Sequence, residues 1–221
     1  MPLVEFKDLC IDANDPAALG EFWAETLGLR LEDGDVLRGS DPHQTIWINR
    51  VPEPKTVKHR VHLDVKAPET DFAGTPRLSE PGDFPWIVHR DPEGGEFCVF
   101  DTAEPADYRL LALVVDAMDH QALSAWWHGL WGGDLEHAEE YSAITGAAGA
   151  PFEAISFVPV PENKEVKNRI HWDVSLLDDT TIGMLKVAGA RVLREPTDED
   201  AWTVMADLEG NEFCVFERVV S

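Results

Sequence analysis

The feature that most constrains this chain is an internal duplication. Residues 91–100 read DPEGGEFCVF and return at residues 207–216 as DLEGNEFCVF, identical at eight of ten positions. A second pair, residues 51–65 and 160–174, shares the pattern Val-Pro-Glu-x-Lys followed four residues later by x-Arg-x-His-x-Asp-Val. The two pairs have offsets of 116 and 109 residues, as expected when loops of a duplicated fold change length. The 221 residues therefore predict two related units of a little over one hundred residues each.

The boundary between the repeats is predicted in an acidic, proline-containing stretch at residues 103–107. We therefore expect one domain over residues 1–104 and a second over residues 107–221. Hereafter these are the first and second repeats.

Each repeat shows the same order of elements. In the first, a strand leads to a helix that Asp15 caps, Pro16 starts and Gly28 ends. In the second, Asp119 is the corresponding cap and Gly132 the corresponding end. Short strands follow, and both repeats end in the Glu-Phe-Cys-Val-Phe strand. The pattern is βαβββ, occurring twice per repeat, and it predicts an α+β fold.

The second helix of each repeat is not equally supported. Residues 180–187 have helical spacing and are stopped by Gly189 in the second repeat. The first repeat is shorter here and carries Pro68, Gly74 and Pro76, which disfavour the helix.

Strand alternation divides the side chains into an apolar and a polar face. Leu9 and Ile11 share one face of the first strand, whereas Asp8, Cys10 and Asp12 share the other. The strands at residues 61–65 and 96–100 alternate in the same way. A curved sheet with helices on its apolar face would leave the polar face around a hollow suited to a small molecule. The alternative is that this face is simply solvated.

Several side chains on the polar face are candidates for contacting a ligand, and each has a structural alternative. The tryptophans on strands can form a stacking wall. The histidines can act as a metal ligand or general base, or belong to a structural Arg-His-Asp ladder. The thiols can be ligands or nucleophiles, or inert buried filler. The predicted ligand-binding residues are Trp47, His62, Trp86, Cys98, His171, Trp202 and Cys214.

Charge and composition exclude several classes of protein. With 18 basic and 42 acidic residues the net charge is −24, which argues against binding to nucleic acid or to an anionic membrane. Three cysteines do not make a disulfide framework, and no apolar run reaches the ~20 residues of a membrane span. There is no glycine-rich phosphate loop, Gly-x-Ser-x-Gly elbow or Cys-x-x-Cys pair. We expect a cytoplasmic protein, monomeric or homodimeric, whose partner is a small molecule.

Three motifs together resemble the vicinal oxygen chelate superfamily, which includes glyoxalases, bleomycin-resistance proteins and extradiol dioxygenases. They are Phe-Trp-x4-Gly at residues 22–28, Arg-Val-His-Leu-Asp-Val at residues 60–65, and the Asp-Pro-Glu-Gly-x-Glu-Phe-Cys-Val segment at residues 91–99. The resemblance is to the glyoxalase-like domain branch and covers both repeats. It implies tandem domains, each built of two βαβββ modules that form a cupped mixed sheet with helices outside.

The resemblance also implies where a metal ion would bind. The family's ligands on the first, fifth and eighth strands fall on Asp8, His62 and Cys98 in the first repeat. In the second repeat they fall on Ala112, His171 and Cys214, and only the histidine matches the usual ligand type. No cofactor is therefore the first expectation. The alternative is one divalent ion, such as zinc, at Asp8, His62 and Cys98 in the first domain.

Two functions follow from this sequence. The first is a glyoxalase-like or bleomycin-resistance-type protein that binds a small, partly aromatic molecule in the cupped sheet without a complete metal site. The alternative is a divalent-metal-dependent enzyme (a lyase, isomerase or dioxygenase) with its site in the first domain. Whether the protein is an enzyme stays open at this point.

Overall fold

The computed structural model describes residues 1–198 and 200–217. The first repeat contains β1 (Val4–Ala13), α1 (Pro16–Leu27), β2 (Arg30–Glu32), β3 (Val36–Arg38), β4 (Thr45–Arg50), β5 (Val61–Ala67), a 3-10 helix (Glu69–Phe72), β6 (Ile87–Arg90) and β7 (Glu96–Asp101). The second contains β8 (Leu110–Ala117), α2 (His120–Trp131), β9 (Asp134–His137), β10 (Ser142–Thr145), β11 (Ala154–Pro159), β12 (Ile170–Leu176), α3 (Ile182–Ala188), β13 (Arg191–Arg194), β14 (Thr203–Ala206) and β15 (Glu212–Phe216).

The helix ends are where the sequence predicts them. The Asp15 carboxylate accepts a hydrogen bond from the Ala18 amide, and Gly28 ends α1 in the left-handed conformation at φ 72°. Asp119 caps α2 in the same way. The predicted second helix of the second repeat forms as α3, whereas the proline-containing segment of the first repeat forms only a single 3-10 turn.

The strands form two mixed sheets. The eight-stranded sheet has the order β13-β14-β15-β12-β1-β4-β3-β2, and the seven-stranded sheet has the order β6-β7-β5-β8-β11-β10-β9. These sheets, with three helices outside, confirm the predicted α+β architecture of tandem glyoxalase-like modules.

Each sheet takes one module from each repeat. In the eight-stranded sheet β1 of the first repeat pairs antiparallel with β12 of the second, so that Cys10 lies opposite His171. In the seven-stranded sheet β5 pairs antiparallel with β8, so that His62 lies opposite Val114. A site on either sheet therefore contains residues of both repeats.

The apolar faces and helices share one buried core. Trp127 and Trp131 of α2 stack at 4.1 Å between ring centroids, and Trp127 contacts Trp172 and Phe213 of the eight-stranded sheet. The three tryptophans are fully buried. In the first repeat the corresponding contact joins Trp23 to Phe97 at 5.3 Å.

The basic residues of the two repeated turns hold the repeats together. Arg60 donates to the main-chain oxygen of Glu162 at 2.7 Å and forms an ion pair with Glu209 at 3.1 Å. Arg169 repeats both contacts with equivalent residues of the first repeat, the Glu53 oxygen and the Glu93 carboxylate. These cations thus balance acidic groups of the other repeat. None of the helices within residues 1–198 and 200–217 has the length and apolar character needed to cross a membrane.

Candidate functional site

The polar faces of the two sheets contain the candidate residues. The eight-strand face, named here for its sheet, carries Asp8, Cys10, Trp47, His171, Asp173, Cys214 and Phe216. The seven-strand face carries His62, Asp64, Cys98, Phe100, Ala112 and Val114. Each set follows from strand alternation and from the registers that pair β1 with β4 and β12, and β5 with β7 and β8.

A β-bulge shapes the eight-strand face. The register between β1 and β12 shifts between Phe6 and Asp8, which brings Lys7 and Asp8 to the same face. The Lys7 ammonium pairs with the Asp8 carboxylate, and the indole nitrogen of Trp47 donates to the same carboxylate at 3.2 Å. Asp8 is only 5 % exposed, so these two partners offset the cost of burying its charge.

Asp173 lies at the centre of the eight-strand face. The Cys10 thiol is 3.7 Å from both carboxylate oxygens of Asp173, and Cys214 lies opposite it on β15. Burial, reinforced by the nearby Asp8 charge, raises the pKa of Asp173 to about 7. Burial and the Asp173 charge in turn raise the pKa of the Cys10 thiol well above its usual value. At neutral pH the Cys10 thiol is therefore protonated, and the Asp173 carboxyl is partly protonated.

His171 completes the cluster. Its Nδ1 is buried and has no hydrogen-bond partner among the described residues, and burial lowers the pKa of its ring to about 4. A ligand atom from each of Cys10, His171 and Asp173 lies within 4.8 Å of the others. A sulfur, a neutral imidazole nitrogen and a carboxylate oxygen at such spacing fit a zinc-type ion better than a hard ion that prefers oxygen ligands.

The seven-strand face has the same plan with fewer polar groups. His62, Asp64 and Cys98 form the second group whose ligand atoms lie within 4.8 Å of one another. Ala112 and Val114 occupy the positions that Asp8 and Cys10 hold on the other sheet. The histidine and carboxylate are 3.3 Å apart, whereas Arg60 turns away to Glu209, so the predicted Arg-His-Asp ladder is only partly formed.

The structure divides the metal site predicted at Asp8, His62 and Cys98. Asp8 lies on the eight-stranded sheet, whereas His62 and Cys98 lie on the seven-stranded sheet. Because the modules of one sheet come from different repeats, ligand positions counted along a single repeat fall on different sheets. In the part of the chain that the structure describes, neither group of clustered metal-ligating side chains contains Asp8 together with His62.

Half-buried aromatic rings stand beside both clusters. Trp202 and Phe216 stack at 5.5 Å on the eight-strand face, and Trp86 lies 5.5 Å from Phe100 on the seven-strand face. Trp47 lies under the guanidinium of Arg38 at 5.6 Å. Trp47, Trp86 and Trp202 are thus half-buried, whereas the helical residues Trp23, Trp127 and Trp131 are fully buried in the core.

The thiols are the least reactive members of both clusters. Burial, followed by the adjacent carboxylate, raises the pKa of Cys98 beside Asp64 and of Cys214 beside Asp173. Both thiols stay protonated at neutral pH unless a metal ion displaces the proton, so the surroundings disfavour a nucleophilic role.

The sequence interpretation did not select Cys10, Asp173 or Lys7 as site residues. A signal was present for the first two, because Cys10 lies two residues from Asp8 and Asp173 two residues from His171, on the same faces. Lys7 gave no such signal. By alternation it belongs to the apolar face, and only the bulge brings it to the other side.

A groove of about 1010 Å³ lies between the two repeated turns, and its lining includes Asp12 of the eight-strand face and Asp116 of the seven-strand face. Lys167 pairs with Asp12 and Lys58 with Asp116 at this border. One acidic residue of each polar face therefore borders this groove.

Comparison with known proteins identifies the family. At 12 % identity the chain is similar to glyoxalase I from Zea mays, with a TM-score of 0.69 over 97 % of this chain and 92 % of that one. It is also similar to the cppA protein from Streptococcus pneumoniae TIGR4, at 14 % identity and a TM-score of 0.53 over 98 % and 99 %. Such identities show the fold alone, and no curated protein matches significantly in sequence.

The model of the family described as "Glyoxalase-like domain" matches residues 8–100 and again residues 112–216. Both repeats are thus covered, and together the two matches take in most of the 221 residues. The chain belongs to the glyoxalase-like domain family of the vicinal oxygen chelate superfamily, in two tandem copies.

Proposed function

We propose that this protein binds a small, partly aromatic molecule on the polar faces of its cupped sheets, as a bleomycin-resistance-type member of the superfamily. The observation that carries the proposal is two half-buried pairs of rings beside clusters of buried polar groups: Trp86 tilted against Phe100, and Trp202 stacked on Phe216. Rings held at the edge of a concave surface with a few polar atoms are typical of small-molecule sites.

The experiment is a fluorescence titration of the intact protein with a panel of planar aromatic compounds that differ in size and charge. We expect saturable quenching or a shift of tryptophan emission for some of them, because Trp86 and Trp202 are neither fully buried nor fully exposed. A panel that leaves the emission unchanged, and shows no heat of binding by calorimetry, would contradict the proposal.

A divalent-metal-dependent enzyme is the second candidate function, and the cluster of Cys10, His171 and Asp173 favours it. These residues would hold the ion, which when bound would act as a Lewis acid on an oxygen of the ligand. Binding of the ion would require the Asp173 carboxyl, whose pKa burial raises to about 7, to be deprotonated. Stoichiometric metal in protein purified without an affinity tag would support this candidate.

A further inference from the structure

The two pairs of rings, Trp86 with Phe100 and Trp202 with Phe216, differ in the side chains that lie next to them. On the seven-strand face the exposed ring of Phe84 stacks on Trp86 at 5.4 Å and an interplanar angle of 9°, which extends an all-apolar wall. On the eight-strand face, cationic side chains lie next to the corresponding pair of rings. Arg194 lies 5.7 Å from the Trp202 ring, and Lys7 lies 4.4 Å from the Phe216 ring.

The central strands β8 and β1 show the same contrast between apolar and charged side chains. The register between β5 and β8 skips Leu111, which therefore takes the bulge position that Lys7 holds in β1. Ala112 and Val114 follow where the other face has Asp8 and Cys10. The central strand of the seven-strand face thus contributes carbon surface, with Asp116 at its far end paired to Lys58.

Two polar atoms on this apolar surface lack hydrogen bonds. Nδ1 of His62 and Oδ1 of Asp64 are buried and have no hydrogen-bond partner among the described residues, although they are 3.3 Å apart. On the eight-strand face Nδ1 of His171 likewise has no partner among the described residues, but both carboxylate oxygens of Asp173 lie 3.7 Å from the Cys10 thiol. A buried polar atom without a partner is costly, so a ligand that supplies one is favoured.

We propose that the seven-strand face binds a neutral, planar aromatic molecule with a hydroxyl or N–H group on its edge. Its ring lies against Trp86 and Phe100, and its polar edge reaches Asp64 and His62. Cys98, opposite Asp64, and Phe100 are successive same-face residues of β7, about 6.6 Å apart, so a two-ring molecule spans both. This inference rests on the proposed function and names the ligand class and the sheet.

A charged ligand is disfavoured here. Lys66 on this face has a side chain that is 51 % exposed and lies 3.7 Å from Glu153, and Lys58 at the far end is already paired with Asp116. An anion would meet the Asp64 carboxylate, and a cation would lose its hydration against Leu111, Val114 and the rings.

The test uses 2-naphthol, 2-naphthoate and 2-naphthylmethylammonium as matched neutral, anionic and cationic probes of the full chain. Calorimetry is expected to show that 2-naphthol binds at least about tenfold more tightly than either charged probe. Trp86→Leu is expected to weaken 2-naphthol binding about tenfold through the lost stacking, whereas the matched change Trp202→Leu alters it less than about twofold. Circular dichroism checks that both variants fold.

The outcomes separate this inference from the function it rests on. If 2-naphthol binding were lost in Trp202→Leu and retained in Trp86→Leu, or if a charged probe bound more tightly, the inference would be overturned while the proposed function stood. If no probe and no member of the wider aromatic panel bound, the proposed function would fail as well. Weaker 2-naphthol binding in Asp64→Asn, but not in Asp173→Asn, would support the predicted contact at the polar edge.

Discussion

The eight-strand and seven-strand faces descend from one pattern and differ where a ligand would touch them. His171 and His62 hold equivalent positions, as do Cys214 and Cys98. The central strands have diverged, because the Lys-Asp-x-Cys sequence at residues 7–10 corresponds to Leu-Ala-x-Val at residues 111–114. The apolar faces of both sheets pack into one core, whereas the polar faces differ in their chemistry.

This difference shows how a duplicated chain can make two sites. Since each sheet takes one module from each repeat, both sites use both repeats, and neither repeat contains a complete polar face. A change in β1 therefore alters the eight-strand face alone, and a change in β8 alters the seven-strand face alone.

Zinc affinity is expected to separate the two faces most widely, if the second candidate function holds. Cys10→Val, which copies Val114, removes a sulfur ligand from the cluster with His171 and Asp173 and is expected to lower zinc affinity by about 100-fold or more. The measurement is competition with a chromogenic chelator, supported by the thiolate absorption of the cobalt form. Cys98→Val is the matched control, and equal losses in both variants would contradict the assignment to one face.

The free energy of unfolding is expected to depend on pH because the buried Asp173 carboxyl has a raised pKa. Its pKa is raised from 3.8 to about 7 in the folded protein, so the folded state holds the proton more tightly than the unfolded state. That contribution is present below pH 3.8 and is lost as pH rises through 7, by up to about 4 kcal/mol.

Asp173→Asn removes this loss. In urea unfolding, the free energy of unfolding of the variant relative to that of the wild type should therefore rise between pH 4 and 7. His171, with its pKa lowered to about 4, acts in the opposite direction. Its contribution to the free energy of unfolding is fully present above pH 6.5 and is lost as pH falls through 4. Both proteins contain His171, so the difference between their curves isolates Asp173. Parallel curves would show that the carboxyl titrates normally.

Replacing Lys7 by leucine, its counterpart on the other face, tests the bulge. Asp8 would keep the indole of Trp47 but lose its cation while 5 % exposed, so we expect a loss of about 1–3 kcal/mol in the free energy of unfolding. The double change Lys7→Leu with Asp8→Ala copies residues 111–112 and is expected to recover most of that loss. A double variant no more stable than the single one would refute the pairing argument.

The smallest expected change in the free energy of unfolding comes from a substitution in the turn before β7 that copies the turn before β15. A Cβ on Gly95 would lie 2.7 Å from His59 Cε1 and 2.5 Å from Asp91 Oδ2, whereas the second repeat has Asn168 bonded to Asn211 at these positions. Gly95→Asn is expected to cost about 1–2 kcal/mol by overpacking.

Adding His59→Asn copies the second repeat and is expected to restore stability, because the smaller side chain leaves room for the new one. Thermal unfolding of the single and double variants measures the coupling. Strictly additive effects would mean that the ring does not cause the crowding.

Much of the fold was predictable from local patterns. The cap at Asp15 and the helix end at Gly28 follow from local propensity, and the structure confirms them. The predicted boundary near residues 103–107 stays a prediction.

The candidate site was only partly predictable. Alternation placed His62 and His171 on the polar faces, but it cannot say which strands become neighbours. The Asp8, His62 and Cys98 set assumed that a repeat closes on itself, and the pairing of β1 with β12 separates them. Lys7 was missed because a bulge breaks the alternation from which its face would be inferred.

The sequence by itself determined the duplication, the α+β modules and the side chains that face away from the core, because periodicity and capping act over a few residues. Only the tertiary structure decided which modules share a sheet, and hence which cysteine, histidine and carboxylate meet. Strand pairing joins residues such as Cys10 and His171 that are 161 positions apart, and a sequence does not specify contacts at that distance by any local pattern.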